Sequence, residues 1–167
     1  LWPETKEAPP LLRKVLAGCD VVKLTDDELP ILCGTESIEA GAQYVRNLGA
    51  TMVVVTLGDR GAYLDTPQGT AYIAAESVPV VDQTGAGDAF TAGLLATLLV
   101  YLTGPGPDDL RERLKALPMD VIKRGCLHGT HLAARVCTAL GATAALPHLP
   151  PPPPPVVKAS ASNKKDF

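Results

Sequence analysis

Eleven residues, Val80-Val-Asp-Gln-Thr-Gly-Ala-Gly-Asp-Ala-Phe90, constrain this chain more than any other stretch. A β-branched run ends at Val81, a turn of Gly85, Ala86 and Gly87 carries almost no side-chain bulk, and Asp88 then heads an apolar helix pattern reaching Leu99. Strand, tight turn and apolar helix together specify an α/β layer. Small residues let the turn amides and the first helical turn approach an anion, and the helix dipole favours negative charge there. A carboxylate at the same point repels a phosphate unless it has chemical work. An anion cradle beside a carboxylate is the equipment of phosphoryl transfer to a hydroxyl: one part holds phosphate charge, the other accepts the hydroxyl proton. The plain alternative is a helix cap, since Asp in a first turn stabilises a helix by about 0.3–1 kcal/mol without catalysis. A Walker loop is excluded because no Gly-Lys-Ser/Thr follows at the required spacing. Phe90, standing where a third small residue belongs, argues against a dinucleotide fingerprint.

The flanking pattern alternates. A helix near 10–18 precedes a strand at 20–24; Thr25 opens a short helix to Cys33; Ser37–Leu48 is helical, with Ile38, Ala42, Val45 and Leu48 on one face. Met52–Leu57 reads as a strand covered on both faces. Ala62–Asp65 and Thr70–Ala74 flank the turn Thr66-Pro-Gln-Gly69 as a hairpin, and Val78–Val81 feeds the glycine turn as a further strand. Helices are expected near 86–102, 108–117 and 120–140. This order predicts a doubly wound, mostly parallel sheet with helices on both faces.

Three ordered blocks resemble the ribokinase-like (PfkB-type) carbohydrate kinases. Asp82-Gln-Thr-Gly-Ala-Gly-Asp88 is similar to the family's Asp-Thr-x-Gly-Ala-Gly-Asp signature. Val22-Lys-Leu-Thr-Asp-Asp-Glu-Leu29 resembles its Lys-x-Asn/Ser-x-x-Glu segment, and Val53-Val-Val-Thr-Leu-Gly-Asp-Arg-Gly-Ala62 its nucleotide-binding strand and turn. Val136-Cys-Thr-Ala-Leu-Gly-Ala142 is similar to the last helix and loop. The opening Leu1-Trp-Pro tilts the resemblance toward fructokinases. It implies a ribokinase-like fold present as a C-terminal half over residues 1–149, without the N-terminal half and lid that supply most sugar-binding residues.

The resemblance also assigns roles. Asp88 is the general base toward a sugar hydroxyl, and Gly85, Ala86 and Gly87 give backbone donors to the transferred phosphoryl group. Thr56, Gly58, Asp59, Arg60 and Gly61 match the nucleotide-binding turn; a tight turn between strand and hairpin is the compatible structural reading. Thr25 and Glu28 match the magnesium-related segment, where a carboxylate orders water around Mg²⁺, although Thr25-x-x-Glu28 is equally a capping box. Lys23 is placed to neutralise phosphate, or is a strand-end charge. Asp82, Thr84 and Gly141, with Val136, Ala139 and Ala145, occupy positions of a monovalent-cation loop pair; Gln83 and Ala145 depart from the family pattern there. Residues 129–139 border the adenine by position. The implied reaction is ATP-dependent phosphorylation of a sugar hydroxyl with ATP, Mg²⁺ and K⁺ as cofactors; the alternative is a nucleotide-binding or regulatory remnant. A small sugar, the complementary half or a second copy are the expected partners.

Composition trims the remaining classes. A net charge of −3 gives no basic face for nucleic acid. No apolar run approaches the ~20 residues that span a bilayer, and a cytoplasmic setting is expected, with an organelle left open. Cys19, Cys33, Cys126 and Cys137 lack metal or CxxC spacing and read as reduced structural thiols, and His128 and His131 as ordinary helix residues. Pro150–Pro155 and the polar residues to Phe167 form a proline-rich, disordered tail, either passive or a ligand for SH3- or WW-type grooves.

Overall fold

A computed structural model describes residues 8–103 and 109–145; the opening Leu1-Trp-Pro and the proline run lie outside them. Helix α1 (Ala8–Leu16) leads to strand β1 (Val21–Thr25), a 3-10 turn (Asp26–Glu28), α2 (Leu29–Cys33) and α3 (Ile38–Asn47). Strand β2 (Met52–Thr56), a second 3-10 turn (Gly58–Arg60) and the hairpin β3 (Ala62–Thr66)–β4 (Gly69–Ile73) follow. The chain closes with α4 (Ala86–Leu102), α5 (Leu110–Lys115) and α6 (Met119–Val136).

The sheet runs β1-β2-β3-β4. β1 and β2 are parallel, with Val21 beside Met52 and Thr25 beside Thr56. The two hairpin pairings are antiparallel, so the four strands form a mixed sheet rather than a mostly parallel one. The α/β order is as expected, but a five-residue link from β2 to β3 and a two-residue link from β3 to β4 cannot carry the crossovers that parallel pairing requires.

Side-chain alternation builds two cores. Met52, Val54, Ala62 and Leu64 point to one face and pack with Phe90, Leu94, Leu98, Ile122 and Cys126 from α4 and α6. Val22, Leu24, Val53, Val55 and Tyr63 point to the other face, against Leu29, Leu32, Ala42 and Val45 from α2 and α3. β2 is therefore apolar along its length because both its faces are covered. Where α4 crosses α6, a Cβ on Gly93 would stand 2.9 Å from the Gly129 Cα, and one on Gly129 would stand 2.7 Å from the Phe90 carbonyl oxygen. Only hydrogen fits at that crossing.

Two boundaries depart from expectation, for one shared reason. Val78–Val81 forms no strand: Val80 and Val81 are 58% and 60% exposed, and Pro79 lacks an amide to pair. The Val81 and Asp82 amides donate instead to the Cys137 carbonyl at 2.8 and 3.3 Å. That same contact satisfies the end of α6, which stops at Val136 rather than near Leu140.

Candidate functional site

The carboxyl ends of the parallel strands β1 and β2 lie side by side, which is where open α/β sheets present their ligand sites. Thr56 closes β2 and donates its hydroxyl to the Leu24 carbonyl at 3.1 Å. Glu28 Oε2 accepts from the Thr25 amide at 2.7 Å, so the capping-box reading of this pair is realised. Beyond Thr56 the turn Gly58–Arg60 stands exposed, and Gly61 passes directly beneath the Ile73 carbonyl. Arg60 Nη2 meets Asp26 Oδ2 at 2.5 Å, joining this turn to the Thr25–Glu28 segment. Asp26 carries no motif signal of its own.

The glycine turn arrives at the same end of the sheet. Gly85 adopts φ +83°, and a Cβ there would also strike the Ala142 side chain at 2.7 Å. Both facts demand glycine. A Cβ on Gly87 would stand 3.0 Å from Lys23 Nζ. The β1 lysine therefore holds its ammonium over the first turn of α4, adding a full charge to the partial charge of the helix end. The Ala86 amide donates to the Gln83 carbonyl at 3.1 Å and is already engaged within the turn. Among the described residues no hydrogen bond is made by the Gly85, Gly87 or Asp88 amide. Three of the backbone groups at this helix start therefore lack a protein acceptor. Asp88 itself is exposed.

Asp82 braces the turn. Its Oδ1 accepts from the Thr84 amide at 2.9 Å and the Thr84 hydroxyl at 2.7 Å, and its Oδ2 from the Gly141 amide at 2.8 Å. These bonds, the Thr84 amide foremost, hold the Asp82 carboxyl below the usual carboxylate range. Asp82, Thr84 and Gly141 are thus together, as expected of the loop pair. The donors occupy three of the carboxylate's roughly four acceptor positions, so a cation at this junction would depend chiefly on backbone carbonyls.

An open groove runs between the chain leaving β4 and α6, lined by Ala74, Ala75, Glu76, Leu127, Thr130 and His131. His131 Nδ1 and Glu76 Oε2 are 2.6 Å apart across it. His131 thereby gains an acidic partner that no local pattern signals, 55 residues away in the chain. His128 is buried, its Nδ1 3.0 Å from the Thr97 hydroxyl, and burial pushes its pKa down. Among the described residues no cluster of three or more His, Cys, Asp or Glu is arranged to hold a metal. The four cysteines are free, and burial pushes the Cys126 thiol up to about 12, which leaves it inert. No helix among the described residues is long and apolar enough to cross a membrane.

Comparison with known proteins gives a consistent set. The model of the pfkB family carbohydrate kinases matches residues 1–149. Aminoimidazole riboside kinase of Salmonella typhimurium is 33% identical over 147 residues, covering 88% of this chain and 42% of that protein. Fructokinase of Klebsiella pneumoniae is 33% identical over 150 residues, covering 89% and 45%. The crystal structure of aminoimidazole riboside kinase from Salmonella enterica, complexed with aminoimidazole riboside and ATP analog, superposes with TM-score 0.71 at 33% identity, over 90% of this chain and 46% of that one. Fructokinase from Vibrio cholerae O395, in fructose, ADP and calcium ion bound form, superposes with TM-score 0.72 at 34% identity, over 87% and 43%. The chain spans less than half the length of the relatives it matches.

Proposed function

Because the chain belongs to the pfkB family of carbohydrate kinases, we propose that it forms the nucleotide-binding and phosphoryl-transferring portion of an ATP-dependent, fructokinase-like sugar kinase. The observation that carries this reading is the Lys23 ammonium held over Gly87, beside unengaged amides and an exposed carboxylate at the start of α4. A cap alone needs no cation brought from another strand. Anion binding does.

Asp88 takes the proton of the attacking sugar hydroxyl, a contribution of about 10²–10⁴ in rate for a positioned base. The Gly85, Gly87 and Asp88 amides and Lys23 hold charge that develops on the transferred group. The Ala86 role is narrower, since its amide is engaged; its small side chain keeps the approach open. Thr56, Gly58, Asp59, Arg60 and Gly61 border the ribose and phosphates, with Arg60 oriented by Asp26. The nucleotide base lies along the groove at Thr130 and His131. Mg²⁺, when bound, would offset the negative charge of the phosphates. Glu28 would hold it through water, which suits an ion that keeps much of its hydration shell and a site without a carboxylate cage. K⁺ at the junction of Asp82, Thr84 and Gly141 stiffens the turn from its far side. Related crystal structures support the nucleotide and the K⁺: one fructokinase holds fructose, ADP and potassium, and a riboside kinase holds an ATP analog.

A second reading, a nucleotide-binding remnant without turnover, is favoured by the bareness of Asp88: among the described residues no wall for a sugar stands beside it. Calorimetry with Mg·ADP, followed by a coupled assay with ATP and a sugar panel in the presence of the complementary kinase portion, separates the two. Binding with Asp88-dependent phosphorylation supports the kinase; binding without it leaves the remnant. Absence of nucleotide binding to the wild type defeats both.

A further inference from the structure

The Glu76–His131 pair stands apart from the phosphoryl chemistry at α4, and its geometry fixes a proton. Glu76 lies on the chain leaving β4 and His131 on α6, with Oε2 and Nδ1 2.6 Å apart across the groove. An ionised carboxylate only accepts, so Nδ1 carries the hydrogen. In the neutral ring Nε2 then keeps a lone pair. Among the described residues His131 makes no other hydrogen bond. Its side chain is 38% exposed, so a molecule in the groove can reach the free edge of the ring.

The position suits a nucleotide base. The Val81 and Asp82 amides bond the Cys137 carbonyl, which ties the approach to the glycine turn to the end of α6. His131 comes six residues before Cys137, about 9 Å back along the helix at ~1.5 Å per residue. Phosphates at the glycine turn and a base at His131 are thus compatible with one bound nucleotide.

Purines differ at the atom that would meet Nε2. Adenine offers its N6 amino group, a donor, and guanine its O6 oxygen, an acceptor. A lone pair on Nε2 accepts from N6 and opposes O6. Protonation reverses this, because Nε2–H donates to O6 and opposes the amino group. We propose that Glu76 and His131 read the purine: the imidazole contacts the 6-position and the carboxylate fixes its tautomer, so that adenine is preferred to guanine at neutral and alkaline pH and the preference is lost in acid. This rests on the kinase reading and deepens it. His131 is the specificity residue and Glu76 a positioning residue.

The groups around the pair leave that titration to histidine. Ala74 and Ala75 bring no charge to the opposite wall. On α6, Arg124 pairs with Asp120 at 3.8 Å, Lys123 lies at the far end of the groove, and Arg135 is one turn beyond His131. Histidine is the residue type that changes charge between about pH 5 and 8. His128 also lines the groove, but burial pushes its pKa down, so it protonates later than an ordinary histidine as pH falls.

Calorimetry of the 167-residue chain with Mg·ADP and Mg·GDP, at about pH 8 and about pH 5.5, tests the proposal. Protonation of the phosphates and Mg²⁺ binding act on both nucleotides alike, so the ratio of dissociation constants isolates the base. ADP should bind about tenfold tighter than GDP at the higher pH, and the ratio should fall about threefold or more at the lower. His131→Phe keeps a ring but takes up no proton, and its ratio should stay near one at both. Glu76→Gln, whose amide can accept from Nδ1 or donate to it, should lower the ratio at the higher pH. Long-range proton–nitrogen NMR should place the neutral ring's hydrogen on Nδ1 and show the Nε2 resonance displaced by ADP more than by GDP. Three results overturn the proposal: a wild-type ratio independent of pH, a ratio unmoved by His131→Phe with unchanged circular dichroism, or loss of both nucleotides alike in either variant, which marks the pair as structural. Each leaves the kinase reading standing, since ADP still binds the wild type. Failure of the wild type to bind either nucleotide at either pH defeats the kinase reading and this proposal with it.

Discussion

The two faces of α4 contrast sharply. Toward α6 the helix is packed so closely that Gly93 and Gly129 have no room for a methyl group. Away from α6 it shows solvent two leucines, an alanine and the candidate base. The closed face carries stability, and the open face carries the chemistry proposed for the chain. Covering the exposed half of each leucine gains about 1 kcal/mol apiece, a modest term for folding but a useful one for assembling a site.

The largest test of this division falls on the open face. Asp88→Asn should leave the melting temperature and ADP affinity near wild type while lowering turnover of the assembled kinase about 10²–10⁴-fold; an equal loss of nucleotide affinity would remove Asp88 from the catalytic role proposed for it. Next comes the closed face. Gly129→Leu should destabilise the chain by about 1–3 kcal/mol or more in urea titration, because the Phe90 carbonyl and ring cannot retreat. A neutral result would show the helix crossing to be loose. Lys23→Met lies between the two faces and should weaken Mg·ADP about tenfold by calorimetry, with little change in stability. Leu99→Ser should change stability of the isolated chain by no more than about 0.5 kcal/mol; a large loss would mean that the outer face of α4 is already covered.

The smallest expected effect concerns pH. The Asp82 carboxyl titrates below its unfolded value, so its stabilising bonds are fully present above the ordinary Asp pKa of about 3.9 and are lost as pH falls through the lower folded value. Acid unfolding of wild type and Asp82→Asn should therefore differ above about pH 4 and converge below it. Curves that stay parallel to the lowest pH would show that the carboxylate does not brace the loops.

Local chemistry carried most of the fold into the sequence. Ser37 caps α3 by accepting from the Ala40 amide at 3.2 Å, and the four buried residues Met52 to Val55 mark a doubly covered strand, so both elements were legible from their own residues. The hairpin was legible from Thr66-Pro-Gln-Gly69. Strand sense was not, since alternation of elements does not reveal that β3 and β4 return antiparallel. The ends of α6 and of the Val78–Val81 stretch were hidden because each satisfies the other across more than 50 residues. In the site, the glycine turn, Asp88 and the Asp82–Gly141 contact could be anticipated from motifs. The Asp26–Arg60 and Glu76–His131 pairs could not, as each joins side chains that only the packed sheet and helices bring together.

Gly141 lies 59 residues after Asp82, yet its amide helps fix the bend at which Asp88 stands. During synthesis this candidate catalytic corner must therefore wait for the stretch from Asp82 to Gly141 to emerge, some seconds at about 5–20 residues per second. Until then, a nascent chain bearing Asp82, Thr84 and Asp88 would still lack the contact that braces their bend. The corner is completed late, together with the loop that carries Gly141.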